Sequence, residues 1–559
     1  DTEFAFKWTA LSDAQVNEGI RDPIVAYEYM NRYYVVEGNK RVSVLKYFKA
    51  DSIVANVTRK IPKYSEDEDV KLYYEYMKFN QISGLNNIEF SKIGMVDKLL
   101  ALMGSTAIWD ADTRMEFNSL VNHFTKAYEF RGGRKLPIRV GDALTAFINV
   151  YGYNTVLGMS DDELSLNIVK CWNEFVMLTE KQSVGLVMDP LAAEERKGRS
   201  IFSYFIPSSA KKFTVAFLYP KSPDTSDWIY AHDLGRNYLE ETFPDQMKTI
   251  CVNDVTEERT EQVLNDVIRQ GADIIFEVAP QMMKDSLKVA VDHPDVKILN
   301  CSLNTSHKYI RTYYARMYEA KFLSGMIAGA LAENDRIAYI ADYPIYGMIA
   351  NINAFALGAS FTNPRARIYL AWSTSENYDR ERFLKDNNIQ VVSDQDMITP
   401  RDPGRQFGLY ECSEDGRKLN LVMPLWNWGV FYEKMIQSIL AGSYQSEENS
   451  EGRALNYWWG MSAGVIDLIC SKNVPTGVKR LVDHLKSDIK KGDIVPFYGE
   501  IRAQDGTLKN KKDKAMKPEA IMEMDWLTDN VIGEIPTMGE LRAEARPVVQ
   551  IKGVEEKMK

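Results

Sequence analysis

The chain has 559 residues, of which 45% are hydrophobic and 26% are charged. This is ordinary globular composition, and a usual domain size of about 150 residues predicts three or four compact units. The net charge of −10 argues against a surface that binds along nucleic acid. The sequence contains no run of about 18 apolar residues, so it does not predict a membrane-spanning helix.

The cysteines and histidines follow no disulfide or metal pattern. The five cysteines are odd in number and far apart, without a C-x-x-C pair, and the five histidines contain no H-x-x-x-H pair. We therefore expect small buried thiols, no metal and no cofactor. The chain begins Asp-Thr-Glu-Phe, with neither a signal-peptide pattern nor a Cys ready for lipidation, as expected of a processed or truncated boundary.

Residues 1–60 predict a small α/β segment. In chain order the pattern gives a strand, a turn, a helix and a β-rich stretch, at Tyr33–Glu37, Gly38–Arg41, Val42–Lys49 and Ser52–Arg59. Exposed N–H groups at a helix start beside an arginine attract anions, which makes Gly38, Asn39 and Arg41 candidate phosphate-binding residues. The alternative, which we favour, is that this corner serves folding alone.

Residues 61–200 predict a helical domain, because apolar residues recur there at a spacing of three to four. The predicted helices are Asp67–Lys78, Phe90–Met103, Arg114–Arg131, Val140–Tyr151 and Asp161–Thr179. We regard this domain as a candidate for oligomerisation. A charged patch and a Pro/Ser-rich stretch follow it, and they predict a linker at 201–212.

From residue 213 onward, strands alternate with helices. The predicted strands are Thr214–Tyr219, Ile274–Val278, Val296–Asn300, Ile337–Ala341, Ile368–Trp372, Val391–Asp394 and Leu419–Pro424, with helices such as Arg259–Arg269, Tyr318–Ala332 and Gly347–Ala359 between them. This alternation predicts an α/β fold with mostly parallel, helix-covered sheets. The number of units is sufficient for two sheets, and hence for two lobes with a cleft between them.

Aromatic and acidic residues stand where the predicted strands end, and ligands bind outside the carboxyl ends of strands in open α/β sheets. The strongest case is the loop that leads to Asp227 and Trp228, because an indole beside carboxylates suits a planar, polar ligand. The candidate ligand-binding residues are Tyr219, Asp224, Asp227, Trp228, Glu277, Arg316, Asp342, Tyr346, Asp394, Glu411, Trp426 and Trp428. Each taken singly is more often a structural residue, and Arg316 has the alternative of a surface i, i+3 pair with Glu319. No common catalytic signature occurs, so we expect no catalytic residues and no enzyme.

Four stretches resemble the basic membrane lipoprotein family, which comprises purine-nucleoside-receptor-like substrate-binding proteins of ABC transporters. They are residues 227–236, residues 314–329, residues 337–346 continuing to 353–358 and 363–364, and residues 524–526 with 533–536. The resemblance spans 213–540. It implies a type I periplasmic-binding-protein fold, in which two Rossmann-like lobes joined by crossing strands close on a purine nucleoside or base.

The resemblance also implies roles for individual residues. Trp228 takes the place of the family's stacking aromatic, and Asp224, Asp227 and Asp394 take places that face the ligand. Where the family has Gly-Tyr-Asp-Ser-Asp, this chain reads Gly408-Leu-Tyr-Glu-Cys-Ser-Glu, which places Glu411 near the position of a ribose-binding carboxylate. Trp426 and Trp428 imply a variant in which a base, rather than a whole nucleoside, is sandwiched.

The family implies an ABC permease as partner and a lipoprotein at the outer face of the cell membrane. The alternative is a cytoplasmic sensor that couples the same cleft to the N-terminal domains, because the chain has unpaired cysteines and neither a signal peptide nor a lipidated Cys. We expect residues 541–559, which follow the stretch of resemblance, to form a C-terminal tail.

The front of the chain resembles a different family. Residues 34–53 are similar to the ParB/sulfiredoxin-like fold, in which a strand, a Gly-x-x-Arg turn and a helix start form a phosphate-binding corner. The alternative to a receptor is therefore an enzyme with a nucleotide- or phosphate-handling activity at the Gly38–Arg41 corner. Glu37 is the adjacent candidate for its catalytic carboxylate. A nucleic-acid partner is not expected for so acidic a chain.

Overall fold

The computed structural model describes residues 3–50, 52–105, 107–179, 184–190, 212–303, 305, 307–397, 404–413, 416–440, 444 and 454–554. The chain divides into two compact units, residues 1–175 and 176–559, which are described separately below. None of the helices in these ranges combines the length and apolarity needed to cross a membrane. The predicted linker 201–212 lies outside the described residues, apart from Lys212.

The first unit opens with a small three-stranded sheet. Its elements are α1 (Glu3–Asn17), β1 (Ile24–Tyr29), β2 (Arg32–Glu37), α2 (Asn39–Tyr47) and β3 (Ala55–Arg59). The strand order is β2-β1-β3, with β1 antiparallel to β2 and parallel to β3. The carboxylate of Glu28 is fully buried and accepts hydrogen bonds from Arg59 and from the Tyr73 hydroxyl, both at 2.7 Å. This pairing joins the sheet to the helices that follow.

The rest of the first unit is helical. Its helices are α3 (Glu68–Ser83), α4 (Met95–Leu102), α5 (Ala111–Phe130), α6 (Val140–Tyr151), α7 (Tyr153–Leu157), α8 (Asp161–Lys170) and α9 (Trp172–Met177), with a 3-10 turn at Gly133–Lys135. The helix predicted to begin at Phe90 begins five residues later. The Asp142 carboxylate accepts the backbone N–H groups of Ser91 and Lys92, at 2.9 and 3.2 Å, and holds that stretch as a turn.

Within the part of the chain that the structure describes, the second unit carries sixteen strands from β4 to β19. They are β4 (Val184–Val187), β5 (Phe213–Leu218), β6 (Met247–Val252), β7 (Ile274–Glu277), β8 (Lys297–Cys301), β9 (Ile310–Ala315), β10 (Arg336–Ala341), β11 (Arg367–Trp372), β12 (Val391–Ser393), β13 (Leu409–Cys412), β14 (Lys418–Trp426), β15 (Ala454–Trp459), β16 (Ile466–Cys470), β17 (Ile501–Arg502), β18 (Leu508–Asn510) and β19 (Val531–Ile532).

Helices lie between these strands. They are α10 (Asp227–Thr242), α11 (Thr260–Arg269), α12 (Met283–Asp292), α13 (Tyr318–Leu331), α14 (Met348–Thr362), α15 (Arg380–Asp386), α16 (Trp428–Leu440), α17 (Thr476–Lys491), α18 (Pro518–Met522) and α19 (Arg546–Lys552), with 3-10 turns at Glu257–Arg259, Pro280–Met282 and Met538–Glu540. Helices α13 and α14 cross in direct backbone contact. A Cβ added to Gly325 would lie 2.0 Å from the carbonyl oxygen of Phe355, so only glycine allows this approach.

Fourteen of these strands form two seven-stranded sheets, each of which is the centre of one lobe, and β17 pairs with β18 in a separate two-stranded sheet. Lobe 1 has the order β4-β15-β9-β8-β7-β5-β6, with every neighbouring pair parallel. Lobe 2 has the order β16-β14-β13-β12-β10-β11-β19; β12, β10, β11 and β19 are parallel, and β13, β14 and β16 complete the sheet as antiparallel neighbours. The apolar runs predicted from the sequence are the central strands of these sheets.

Three segments connect the lobes. They lie at residues 315–318, 426–428 and 459–466, and we call them the hinge. Two helix-covered sheets, one parallel and one with a parallel half, that are joined by three crossings form a type I periplasmic-binding-protein fold. The predicted fold class of the second unit is therefore confirmed.

Candidate functional site

The candidate site is the cleft between lobe 1 and lobe 2. The carboxyl ends of β5, β7 and β9 in lobe 1 and of β10, β11 and β12 in lobe 2 border it, which is where ligands bind in open α/β sheets. The hinge closes the cleft on one side, because β9 and β14 run directly into hinge segments.

Four aromatic side chains, Trp228, Tyr314, Trp426 and Trp428, form what we call the aromatic floor of the cleft. The rings of Trp228 and Trp426 meet edge to face with their centroids 5.3 Å apart, and Trp426 stacks on Trp428 at 5.4 Å. Tyr314 lies 5.6 Å from Trp426 and 5.9 Å from Trp228. Trp428 is buried, whereas the other three are half-buried and offer ring surface to a ligand.

Trp228 owes its position to the first turn of α10. The Ser226 side chain caps this helix by accepting the N–H of Ile229, which fixes where the helix begins after β5. The indole Nε1–H then donates to the carbonyl oxygen of Val278 at 2.8 Å, just beyond the end of β7. The ring is therefore held at the strand ends by its own hydrogen bond.

Carboxylates from both lobes face one another beside the aromatic floor. Burial raises the pKa of Asp227 in lobe 1, and the nearby carboxylates of Asp342 and Asp396 in lobe 2 raise it further. The same two lobe-2 carboxylates add to the effect of burial in raising the pKa of Tyr314. Asp227 begins α10 after β5, Asp342 follows β10, and Asp396 lies three residues beyond the end of β12, so the three acidic residues lie at the cleft border.

A buried lysine holds one of these carboxylates. The ammonium of Lys321, in the first turn of α13, donates to Asp396 and lies 5.3 Å from the ring centroid of Tyr339. The Lys321 side chain is 4% exposed and that of Asp396 is 15% exposed. Asp396 is therefore fixed by a charged partner.

Two predicted site residues lie in the core of lobe 1. Tyr219 is fully buried, and its hydroxyl donates to Asp233 at 3.3 Å. Glu277 is also fully buried, where its carboxylate accepts the Ser286 hydroxyl and, at 2.8 Å, the amide of Asn300. Burial raises the pKa of Glu277 to about 7. Both side chains therefore lie in the core of lobe 1 and do not form part of the cleft surface.

Arg316 lies in the hinge and is 6% exposed, so its pairing with Glu319 is not the surface pair considered from the sequence. Its Nε donates to Glu319 at 2.8 Å, and one terminal nitrogen donates to the carbonyl oxygen of Met188 at 2.6 Å. The other terminal nitrogen contacts Asp189 and the Ser462 hydroxyl, at 3.4 and 3.0 Å. The guanidinium is thus occupied by protein partners and is not a ligand donor at the cleft rim.

Glu411 lies at the wrong end of its strand for a cleft residue. On β13 it pairs with Val391, where β12 begins, while Leu409 pairs with Ser393 at the cleft end. Asp394 is at the cleft end of β12, but it is buried and occupied: Arg380 donates to it at 2.6 Å and the Tyr410 hydroxyl at 3.2 Å.

The remaining predicted residues lie at the cleft border. Asp342 is half-buried and accepts the Ser373 hydroxyl at 2.5 Å. Tyr346 is half-buried, and its backbone N–H donates to the carbonyl oxygen of Lys552 at 3.1 Å. Asp224 is exposed on the loop before α10.

The Gly38–Arg41 corner of the first unit has an internal structural role. Gly38 has φ of 98°, and a Cβ there would lie 2.6 Å from the Ile24 side chain. A guanidinium nitrogen of Arg41 donates to the carbonyl oxygens of Asp22 and Pro23, at 3.2 and 2.9 Å. These contacts fit the folding role that we favoured from the sequence. The backbone of Asn39 begins α2 at this corner.

Three cleft residues were missed from the sequence. Tyr314 is the penultimate residue of β9, a strand that was not predicted because it contains polar residues. Asp396 stands two residues beyond Asp394, so the strand-end rule that selected Asp394 would also have reached it. Lys321 had no local signal, because its role depends on a partner 75 residues away.

Comparisons with known proteins agree with this geometry. Residues 212–399 match the family of PnrA-like ABC transporter substrate-binding proteins. A purine-binding protein of Brucella abortus is 27% identical over 339 residues, covering 58% of this chain and 95% of the relative. A candidate ABC transporter glucose-binding protein of Haloferax volcanii is 24% identical over 344 residues, covering 59% of this chain and 83% of the relative.

Among solved structures, a solute-binding protein of an ABC transporter system from Conexibacter woesei is 15% identical, with a TM-score of 0.39. It covers 51% of this chain and 98% of its own. The predicted similarity to ABC transporter substrate-binding proteins is thus confirmed for residues 212–399. The family match begins after the first unit, so the ParB-like resemblance of residues 34–53 and the oligomerising role of the helical domain stay predictions.

Proposed function

We propose that the second unit is a non-enzymatic receptor that closes its two lobes on a purine base or nucleoside. The observation that carries the proposal is the cleft itself, in which half-buried aromatic rings lie beside carboxylates from both lobes. A purine offers a flat face to the rings and N–H groups to the carboxylates. The purine-binding relative, at 27% identity, supports this ligand class.

The aromatic floor is suited to one face of the ligand. Trp228 and Trp426 are half-buried and fixed, so a flat ring that stacks on them displaces water without reorganising the protein. Base–aromatic stacking contributes about 1–3 kcal/mol per base when tested by alanine substitution. The floor therefore supplies affinity for any flat heterocycle, and little selectivity among them.

The carboxylates supply the selectivity. An ionised carboxylate only accepts hydrogen bonds, so Asp227 on lobe 1 and Asp342 and Asp396 on lobe 2 favour a ligand rich in N–H donors. They disfavour an anionic ligand, such as a nucleotide, by charge repulsion. A ligand that contacts carboxylates of both lobes interacts more strongly with the closed state, and this difference drives closure.

We also propose an ABC permease as the partner of the closed state, with the receptor at the outer face of the cell membrane as a lipoprotein of its family. Closure brings defined surfaces of both lobes together, which gives a permease a means to distinguish loaded from empty receptor.

Isothermal titration calorimetry with adenine, guanine, hypoxanthine and their nucleosides tests the proposal, with AMP and D-glucose as comparison ligands. We expect a purine to bind, AMP to bind at least about tenfold more weakly, and D-glucose not to bind. Trp426→Ala should weaken purine binding by about 10- to 100-fold, while Phe361→Ala, which removes an aromatic ring that is 65% exposed in lobe 2, should not change it. Binding of D-glucose without binding of any purine would overturn the proposed ligand class.

A further inference from the structure

Residues 541–554 form a structure that we call the strap, which includes α19. Its apolar side packs on lobe 2: Leu541, Ala545 and Val549 are buried against Tyr343 and Ile345, which follow the end of β10. The predicted tail is therefore a packed element over these residues.

Hydrogen bonds also tie the strap to lobe 2. The Arg542 N–H donates to the carbonyl oxygen of Thr374 at 2.9 Å, just beyond β11. The Arg546 guanidinium donates to Glu376 at 2.9 Å. At the other end of the strap, Gly553 forms an antiparallel bridge with Ile345. The strap is thus anchored to lobe 2 along its length.

The strap also contacts lobe 1, where α19 lies beside the 3-10 turn at Pro280–Met282 and the Lys552 side chain forms hydrogen bonds. The Lys552 ammonium donates to the carbonyl oxygen of Leu303 at 3.0 Å and to the Thr305 hydroxyl at 2.6 Å. Thr305 is itself held in lobe 1, because its N–H donates to Asn456 of β15 at 3.1 Å. Lys552 therefore links lobe 2 to lobe 1 through hydrogen bonds alone, in addition to the covalent connections of the hinge.

The bridge lies beside the ligand cleft. Leu303 and Thr305 follow the carboxyl end of β8, and the segment that holds the strap follows the carboxyl end of β10. These strand ends border the cleft from opposite lobes. Rotation of the lobes about the hinge would separate them, and the two Lys552 bonds would have to break.

We propose that Lys552 and the strap form a latch that stabilises the closed arrangement of the lobes. The latch is carried by lobe 2, engages Leu303 and Thr305 of lobe 1 on closure, and releases on opening. It is distinct from the hinge, which connects the lobes in every state.

The environment of Lys552 is consistent with reversible engagement. Its side chain is 8% exposed, and burial lowers its pKa to about 8. The cost of burying an ammonium offsets part of the gain from its two hydrogen bonds, so the latch holds weakly. A weak latch biases the lobes toward closure and still permits release.

Distances between spin labels test the latch without any ligand. The exposed Cys251 on β6 labels lobe 1, and Arg382→Cys on α15 labels lobe 2, in a chain with Cys412→Ser and Cys470→Ser. Pulsed electron–electron double resonance then reports the distribution of distances between the two spin labels, and hence between the lobes. Lys552→Met removes the ammonium and keeps a long apolar side chain, while Lys512→Met, at an exposed lysine of the same unit, is the matched control.

We expect Lys552→Met to raise the ratio of long to short inter-lobe distances by about tenfold, and Lys512→Met to leave it unchanged. Thr305→Val removes the hydroxyl acceptor from the lobe-1 side and should shift the distances in the same direction. Circular dichroism checks that both variants are folded. Distributions for Lys552→Met and Thr305→Val that coincide with that of the parent would overturn the latch, whatever the ligand of the cleft is.

Discussion

In the hinge, the Nε–H of Arg316 donates to Oε1 of Glu319 at 2.8 Å, and the two side chains are only 7% and 8% exposed. The other carboxylate oxygen of Glu319 accepts the N–H of Met461 at 2.6 Å, which joins the first hinge segment to the third. Arg316 also donates to Met188, just beyond β4. A Cβ on Gly460 would lie 2.3 Å from a carboxylate oxygen of Glu319, so a larger residue at this position would displace Glu319 from its partners.

We predict that Glu319→Ala lowers the free energy of unfolding by about 3–5 kcal/mol. The substitution leaves a buried guanidinium without its carboxylate and removes the acceptor of the Met461 N–H, and breaking a buried ion pair in this way has that cost. Urea unfolding followed by tryptophan fluorescence measures it, since seven of the ten tryptophans lie beyond residue 212.

The matched control is Asp386→Ala, which removes the carboxylate of an exposed pair with Arg382 on α15. Exposed pairs contribute about 0–1 kcal/mol, so this variant should unfold almost as the parent does. Equal effects of Glu319→Ala and Asp386→Ala would show that the buried pair does not stabilise the hinge.

A second prediction concerns the crossing of α13 and α14. Gly325→Ala should lower the free energy of unfolding by about 3 kcal/mol, because its Cβ would lie 2.0 Å from the Phe355 carbonyl oxygen and the helices would have to separate. Gly477→Ala in the first turn of α17 meets no atom within 4 Å, and should stabilise by up to about 1 kcal/mol since alanine favours helix. Thermal unfolding of the two variants should therefore move in opposite directions, and a shift of the same sign in both would contradict this account.

The fold was predictable where burial leaves a continuous apolar run. Strands such as β5 and β10 are buried over most of their length and read directly as parallel strands. Strands β9 and β15 escaped prediction because they bury polar residues that satisfy one another. The Thr312 hydroxyl donates to Asn456 at 2.6 Å across 144 residues of sequence, and no local window shows such a partner.

The site was predictable in part for the same reason. Strand-end position selects Trp228 and Asp227, which lie at the cleft border. It selects Glu277 equally, but the Glu277 side chain lies in the core and contacts Ser286 and Asn300. Whether a polar side chain at a strand end faces the cleft or the core depends on partners from other elements. The sequence alone does not place those partners.

Glu277 gives a third prediction, a pH-dependent stability. Burial raises its pKa in the folded chain to about 7, above the ordinary value of 4.5, so the folded state binds an extra proton between these values. The free energy of unfolding should therefore fall as the pH rises from about 4.5 to 7, by about 3 kcal/mol from this group. Glu277→Gln keeps an amide oxygen for Asn300 and has no proton to lose.

Urea unfolding at several pH values checks this dependence. Between pH 4.5 and 7, the stability of Glu277→Gln relative to the parent should rise, since only the parent loses the proton. Glu333→Gln, at an exposed carboxylate that follows α13, is the control and should show no comparable rise. A constant difference between Glu277→Gln and the parent across this range would contradict the raised pKa.

The last prediction concerns the proposed ligand contact of Asp227. Burial and the carboxylates of Asp342 and Asp396 raise the pKa of Asp227, so this group becomes protonated at a higher pH than an ordinary aspartate. A protonated carboxyl loses its charge and part of its capacity to accept N–H groups. The affinity for a purine base should therefore fall as the pH is lowered through that raised pKa.

Calorimetric titration of adenine across pH measures this dependence. Asp227→Asn should weaken adenine binding by about tenfold or more at neutral pH, because a hydrogen bond to a charged group contributes about 1.5–3 kcal/mol. It should also flatten the loss of affinity at low pH, since the substituted side chain does not titrate. Asp245→Asn, at an exposed position of lobe 1 beyond the far end of α10, should retain both the affinity and the pH dependence of the parent. If Asp227→Asn and Asp245→Asn bind adenine alike at every pH, Asp227 does not accept from the ligand, and the edge of the purine must be recognised by the lobe-2 carboxylates alone.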